Sequence, residues 1–184
     1  LNELILWGAN ATNDQDYATS YIPTSGATST RLQDIANNSG NASLINSEEG
    51  TLYAEALFSN DAYKFISLSA GASSHRIAIF SSSPTTISYN VKNSSGNQFN
   101  GNITIDSTVN HKIALKYKEN DFSFWIDGVN IVSSSSGSTF SASILSKLSF
   151  NDGGAGSPFY GNIKALAVYK TALTDAQLTL LTTI

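Results

Sequence analysis

The sequence predicts an all-β chain: a two-sheet antiparallel β-sandwich of jelly-roll type, with one short C-terminal helix. Three observations predict it. Apolar residues recur with a period of two over most of the chain, as they do in strands that bury one face and wet the other. These runs are short and are separated, at a spacing of about 8–12 residues, by turn clusters of Gly, Asn, Asp, Ser and Pro, the rhythm of sandwiches and barrels. No helical segments alternate with the strands, which excludes a parallel α/β sheet.

Taken in order, Leu4–Trp7 reads as a first strand. Gly8 to Arg31 is polar and without period, and a stretch that long is uncommon inside a compact domain. Residues 1–35 are therefore expected to form a connector or arm, or to end in the last strand of a preceding domain. Residues 36–184 are expected to form the sandwich module. Strands are then expected at Thr51–Phe58, Tyr63–Ala70, His75–Phe80, Thr86–Val91 and Asn102–Ile105. The clearest pair follows. In His111–Lys118, Ile113, Leu115 and Tyr117 share one face, and Lys112, Ala114, Lys116 and Lys118 the other. Glu119-Asn120-Asp121 turns the chain, and Phe122, Phe124 and Ile126 then oppose Ser123 and Trp125. Asp127-Gly128 offers the two positive-φ positions of a tight hairpin turn into Val129 and Ile131. Ile144–Phe150 and Asn162–Tyr169 complete the strands. The helix is announced by Thr174-Asp175-Ala176-Gln177, where a hydroxyl at the N-cap and an amide side chain at the third position can satisfy each other's backbone N–H; Leu178, Leu180 and Leu181 follow.

Composition narrows the function classes. Charged residues make up 13% of the 184, and roughly a third of the chain is Ser, Thr or Asn, well above common usage. Ten Lys+Arg against 14 Asp+Glu give no basic footprint for nucleic acid. No run of eighteen apolar residues is long enough to cross a bilayer as a helix. The absence of Cys removes disulfides, thiolate metal sites and cysteine nucleophiles. Met is absent too, so Leu1 is not a natural start, and the chain is expected to be one module of a longer protein with other domains before it.

Several segments resemble a known family. His111-Lys112-Ile113-Ala114-Leu115, Phe124-Trp125-Ile126-Asp127-Gly128, Phe159-Tyr160-Gly161-Asn162-Ile163 and Val168-Tyr169-Lys170-Thr171-Ala172-Leu173-Thr174 are similar, in this order, to the strand and hairpin motifs of laminin G-like modules of the concanavalin A-like lectin/glucanase superfamily. Ala18 to Gly26, after Trp7-Gly8-Ala9, resembles connectors of phage tail and fibre proteins and of secreted bacterial proteins. The resemblance implies a carbohydrate-binding module, a polysaccharide or glycan partner, an extracellular or virion-surface location and, in many members, a calcium ion. It leaves room for a homo-oligomer.

Catalysis is not expected. Glycoside hydrolysis needs two carboxylates at a set separation, and the hydrolases this chain resembles supply them from alternate positions of one strand. Here Glu55 stands alone in its strand, and Glu48-Glu49 precede a glycine in a loop. Two rival readings remain: a structural, decoration or assembly module of a phage particle without a ligand, and a polysaccharide hydrolase or lyase of the same fold.

Sugar sites place aromatic faces against C–H-rich sugar rings and surround them with hydrogen-bonding groups. If Phe122, Phe124 and Ile126 point inward, alternation sends Trp125 to the wet face, either as a stacking platform or beneath a covering loop. Tyr63, Tyr89, His75 and Arg76 are further candidates; for the tyrosines the alternative is core burial, and for His75 and Arg76 a sheet edge or a carboxylate partner. In the loop Asn151–Ser157, glycines allow close backbone approach, and Asn151 and Asp152 offer oxygens. Asp152 is the candidate calcium ligand, although calcium takes six to eight oxygens.

Overall fold

A computed structural model describes residues 40–184, together with residues 23, 25–27 and 29. The chain divides into two compact units, Leu1–Asp34 and Ile35–Ile184, and the second carries every element below. The expected Leu4–Trp7 strand and the connector lie outside the described residues.

Ten strands form two antiparallel sheets of five. The first sheet is ordered β10-β1-β6-β7-β8, from β1 (Glu49–Phe58), β6 (His111–Lys118), β7 (Phe122–Ile126), β8 (Val129–Ser134) and β10 (Gly161–Tyr169). The second is ordered β5-β4-β3-β2-β9, from β2 (Lys64–Ser69), β3 (Arg76–Ser83), β4 (Thr86–Asn93), β5 (Gly96–Thr104) and β9 (Lys147–Ser149). The all-β sandwich read from the sequence is the architecture found. β1 starts two residues early, at Glu49, so the Glu48-Glu49 pair expected in a loop straddles the strand start and Glu49 shares the strand with Glu55. β3 runs on to Ser83, and β5 and β9 differ most in extent from expectation. β5 begins at Gly96, because its Asn/Gly-rich first half reads as a turn yet pairs with β4, with one bulge at Gln98, and sends Phe99 inward. The last strand of the second sheet shrinks to three residues, because only Lys147–Ser149 finds a partner in β2.

The core lies between the sheets, where the period-two faces meet. Leu52, Ile113, Leu115, Tyr117, Phe122 and Phe124 from the first sheet pack on Leu68, Ile77, Ile79, Ile87, Tyr89 and Val91 from the second. Each such side chain contributes about 1.5–3 kcal/mol relative to an exposed position. Aromatic contacts bridge the layers: Tyr89 of β4 stacks on Phe124 of β7 with centroids 4.5 Å apart, and Phe99 meets Phe122 at 5.6 Å. Gly101, the cross-strand partner of Tyr89, leaves room for the phenol, since a Cβ there would lie 2.6 Å from its oxygen.

The β7–β8 turn takes the expected form, with Asp127 at φ 50° and Gly128 at φ 82°. The Asp127 carboxylate accepts the Lys112 backbone N–H at 2.9 Å and faces His111 Nδ1 at 2.6 Å. These contacts fasten the hairpin to β6. Helix α1 (Asp175–Thr182) starts at the expected capping box: Thr174 N–H donates to the Gln177 side chain at 2.9 Å, and Gln177 N–H donates to the Thr174 hydroxyl. Its buried face is Leu178 and Thr182, and it lies on the outer face of the first sheet beside β6, β7 and β8.

Candidate functional site

The two outer faces have different fates. On the first sheet, Tyr53, Ala114 and Trp125 pack with Leu178 of α1, and with Ala165, Ala167, Tyr169, Leu173 and Leu181 around them. Trp125 is 5% exposed, and its indole N–H donates to the Ser123 hydroxyl at 2.9 Å. The expectation that alternation would send Trp125 to water is corrected here. It does leave the sandwich core, but the C-terminal helix covers it, and it offers no face to a sugar.

Among the described residues no helix packs on the outside of the second sheet. Strand register places Phe65, Ser67 and Ser69 of β2 beside Phe80, Ala78 and Arg76 of β3, then Ser88, Asn90 and Lys92 of β4, and Asn102, Asn100 and Asn97 of β5. These residues alternate with the core positions, so they form one outer surface. Arg76, the first residue of β3, stands at one end of this surface. Its Nε donates to Asn90 Oδ1 at 3.0 Å, and its guanidinium carbon sits 5.1 Å from the Phe65 ring centroid. Asn90 is the register partner of Ala78, and Phe65 that of Phe80. The arginine therefore runs forward along β3 over the small Ala78. Phe65 and Phe80 stack at 4.1 Å and 7°. The Asn90 amide passes the connection on, donating to Asn97 Oδ1 at 3.0 Å. Beside it, Ser82 and Ser88 hydroxyls meet at 2.8 Å, and Ser88 donates to Asn102 Oδ1. Such fully connected polar networks hold their members in fixed positions.

The glycine-rich loop forms a wall across this surface. Arg76 Nη1 donates to the Asp152 carbonyl at 3.1 Å, and the Ser67 hydroxyl to the Asn151 carbonyl at 2.7 Å. Gly153 lies on Ser69: at φ 89°, a Cβ would fall 2.8 Å from the serine's own Cβ. Only glycine accommodates both that backbone and that approach. Burial lowers the Arg76 pKa from its ordinary value, and the Asp152 charge acts in the opposite direction.

Of the residues singled out from the sequence, Arg76, Asn151 and Asp152 are brought together. The other four are not. Tyr89 is a core residue, 4% exposed, and cannot reach a ligand; burial raises its pKa. Tyr63 does not join the core; it is 58% exposed at φ 59°, outside the strand. His75 sits at the turn before β3, with Nδ1 facing the Ser74 hydroxyl at 3.1 Å and its ring 6.4 Å from Phe140. Trp125 belongs to the opposite sheet. Sequence reasoning missed Asn90, Asn97, Asn102, Phe65 and Phe80. The signal was present: Ser88-Asn90-Lys92 alternates with Ile87-Tyr89-Val91, and the polar half of that pattern is the surface itself.

The donors around Asp152 do not fit calcium. Its Oδ1 accepts the backbone N–H groups of Gly154 at 2.8 Å and Gly156 at 3.0 Å, so the loop turns hydrogens rather than oxygens toward it. No group of three or more His, Asp or Glu side chains converges among the described residues. Two surface depressions, one lined by Ile45, Ser143 and Lys170 and one by Glu49, Lys118 and Phe140, include no residue of the second sheet's outer face.

Two antiparallel five-stranded sheets with one polar outer face define the class of jelly-roll sandwiches that includes lectins. Residues 37–179 match the laminin G-like family model of the concanavalin A-like lectin/glucanases superfamily, and the chain belongs to this family. No curated protein matches its sequence. The CBM40 of the Ruminococcus gnavus IT-sialidase, solved with α2,3-sialyllactose, is similar in structure: TM-score 0.63, 16% identity, with 82% of this chain and 97% of that one covered. Domain 4 of the extracellular arabinanase AbnA from Geobacillus stearothermophilus, in complex with arabinotriose, gives TM-score 0.61 and 17% identity over 78% and 70%. A SAP-like pentraxin from Limulus polyphemus gives 0.54 and 14% over 74% and 70%. At these identities the likeness is one of fold.

Proposed function

We propose that the chain is a non-catalytic carbohydrate-binding module that lays a polysaccharide across the outer face of the second sheet. One observation carries this reading: the Arg76–Asn90–Asn97 network, its side chains fixed by one another, runs beside the Asn151–Ser157 wall from partly exposed Arg76 through buried Asn90 to exposed Asn97. Exposed Asn97, Asn100 and Asn102 supply both donors and acceptors for sugar hydroxyls. Phe80, partly exposed, supplies an apolar ring for a C–H-rich sugar face. The described strands of this sheet put no Asp or Glu on that surface, so the carboxylate pair of glycoside hydrolysis has no place there. The solved structures with sialyllactose and arabinotriose support the class of ligand. The resemblance of residues 18–26 to phage and secreted connectors supports one module of a larger extracellular or virion protein.

Affinity electrophoresis through a panel of soluble neutral and acidic polysaccharides tests the reading. At least one should retard the protein, and Phe80→Ala and Asn102→Ala should reduce the retardation at a temperature where melts show each variant folded. No retardation by any polysaccharide, or retardation that ignores both substitutions, would count against it. One observation favours an assembly role without a ligand: Val129, Leu180 and Ile184 are exposed apolar residues on and beside α1. A stable oligomer together with no glycan retention would favour that reading.

A further inference from the structure

Arg76 and Lys92 are directly opposed partners across β3 and β4, on the outer face. Like charges opposite one another in a strand pair repel. Four other described lysines have carboxylate partners: Lys64 with Asp61, Lys116 with Asp121 and Asp175, Lys118 with Glu49, Lys164 with Glu55; Lys112 instead donates to the Thr183 carbonyl. Arg76 and Lys92 form no ion pair among the described residues, although the chain has 14 Asp+Glu for 10 Lys+Arg. The carboxylate that acts on Arg76 is Asp152, and its Oδ1 is already held by two loop N–H groups. The guanidinium is fixed in plane by Phe65 beneath it, by Asn90 at Nε and by the Asp152 carbonyl at Nη1. Its Nη2 amino group has no acceptor among the described residues. An oriented arginine with free donors, beside an unpaired lysine, matches an anion that takes two parallel hydrogen bonds.

We infer that the Arg76–Lys92 pair holds the carboxylate or sulfate of an acidic polysaccharide. This rests on the proposed carbohydrate-binding function and names its ligand class. Lys147 occupies the same transverse row, beyond Ser69, but Gly153 lies on Ser69 and screens it from the pair. It is the internal control.

The test is affinity electrophoresis of the 184-residue chain through dextran, dextran sulfate and polygalacturonate, with thermal melts of every variant. Dextran sulfate or polygalacturonate should retard the protein where dextran does not, and which of the two acts separates sulfate from carboxylate. The net charge of -4 opposes retention by a polyanion, and the Lys147→Gln control separates the Arg76–Lys92 pair from attraction by any surface cation. Arg76→Gln and Lys92→Gln should each raise the dissociation constant about tenfold or more, Lys147→Gln should not, and about 0.5 M NaCl should release the complex. Lys92→Gln keeps the test sound if Arg76→Gln disturbs the loop. Acidic-polymer binding that survives both substitutions overturns the inference. Retention by dextran, or by another neutral polysaccharide, equal to that by the acidic polymers overturns it and leaves carbohydrate binding standing. Retention by nothing overturns both.

Discussion

Trp125 stands where β7 meets α1, and its replacement by alanine separates the two roles that alternation left open for it. The indole packs on Tyr53, Ala114 and Leu178 and is 5% exposed. Its removal leaves a void that the facing strands and helix can only partly close, at about 3–5 kcal/mol for an aromatic truncation of this kind. The Ser123 hydroxyl also loses its donor, a contribution of about 1 kcal/mol that falls within that range. For a unit of about 150 residues the unfolding entropy converts each kcal/mol into roughly 3 °C, so the melting temperature should fall by about 10–15 °C. Circular dichroism melts measure it, and Trp125→Phe should recover most of the loss. Polysaccharide retention, measured well below the variant's own melting temperature, should stay unchanged. An unaltered melting temperature, or retention lost while the fold is intact, would refute the placement of Trp125 as packing.

Three further predictions follow from the same structure. Asn90→Ala removes the link between Arg76 Nε and Asn97 Oδ1; it should cost about 1–3 kcal/mol of stability in urea titration and weaken polysaccharide retention, because the guanidinium is no longer aimed. Gly153→Ala places a Cβ against Ser69 at φ 89°; about 1–3 kcal/mol of strain should displace the Asn151–Ser157 wall, seen as faster amide exchange in the loop and weaker retention. Tyr117 is buried, its hydroxyl donating to the Asn46 carbonyl at 2.7 Å, and burial pushes its pKa above the ordinary value near 10. The unfolded chain can release this proton at a pH where the native state holds it, so stability is fully present below about pH 10 and falls as pH rises beyond it. Tyr117→Phe should make denaturant midpoints less steeply dependent on pH in that range.

The sequence alone determined the secondary structure and the fold class. Strict alternation, as in Ile113-Ala114-Leu115-Lys116-Tyr117, fixes which side of a strand is apolar. Asp127-Gly128 and the Thr174–Gln177 capping box are local devices whose geometry follows from a few neighbouring residues. What covers each outer face was not legible. Trp125 and Asn90 both project away from the core, and nothing within ten residues of either says that one lies under a helix and the other joins a polar network with Arg76. That was decided by α1, some fifty residues beyond Trp125, docking its Leu178 on the first sheet. It was decided equally by the loop at 151–157 crossing β2 and β3, whose contacting residues precede it by 84 and 76 positions. Contacts between residues so far apart in sequence are set by how apolar faces find one another in three dimensions. Only the folded chain could turn the alternating Ser, Asn, Arg and Lys of four strands into one surface.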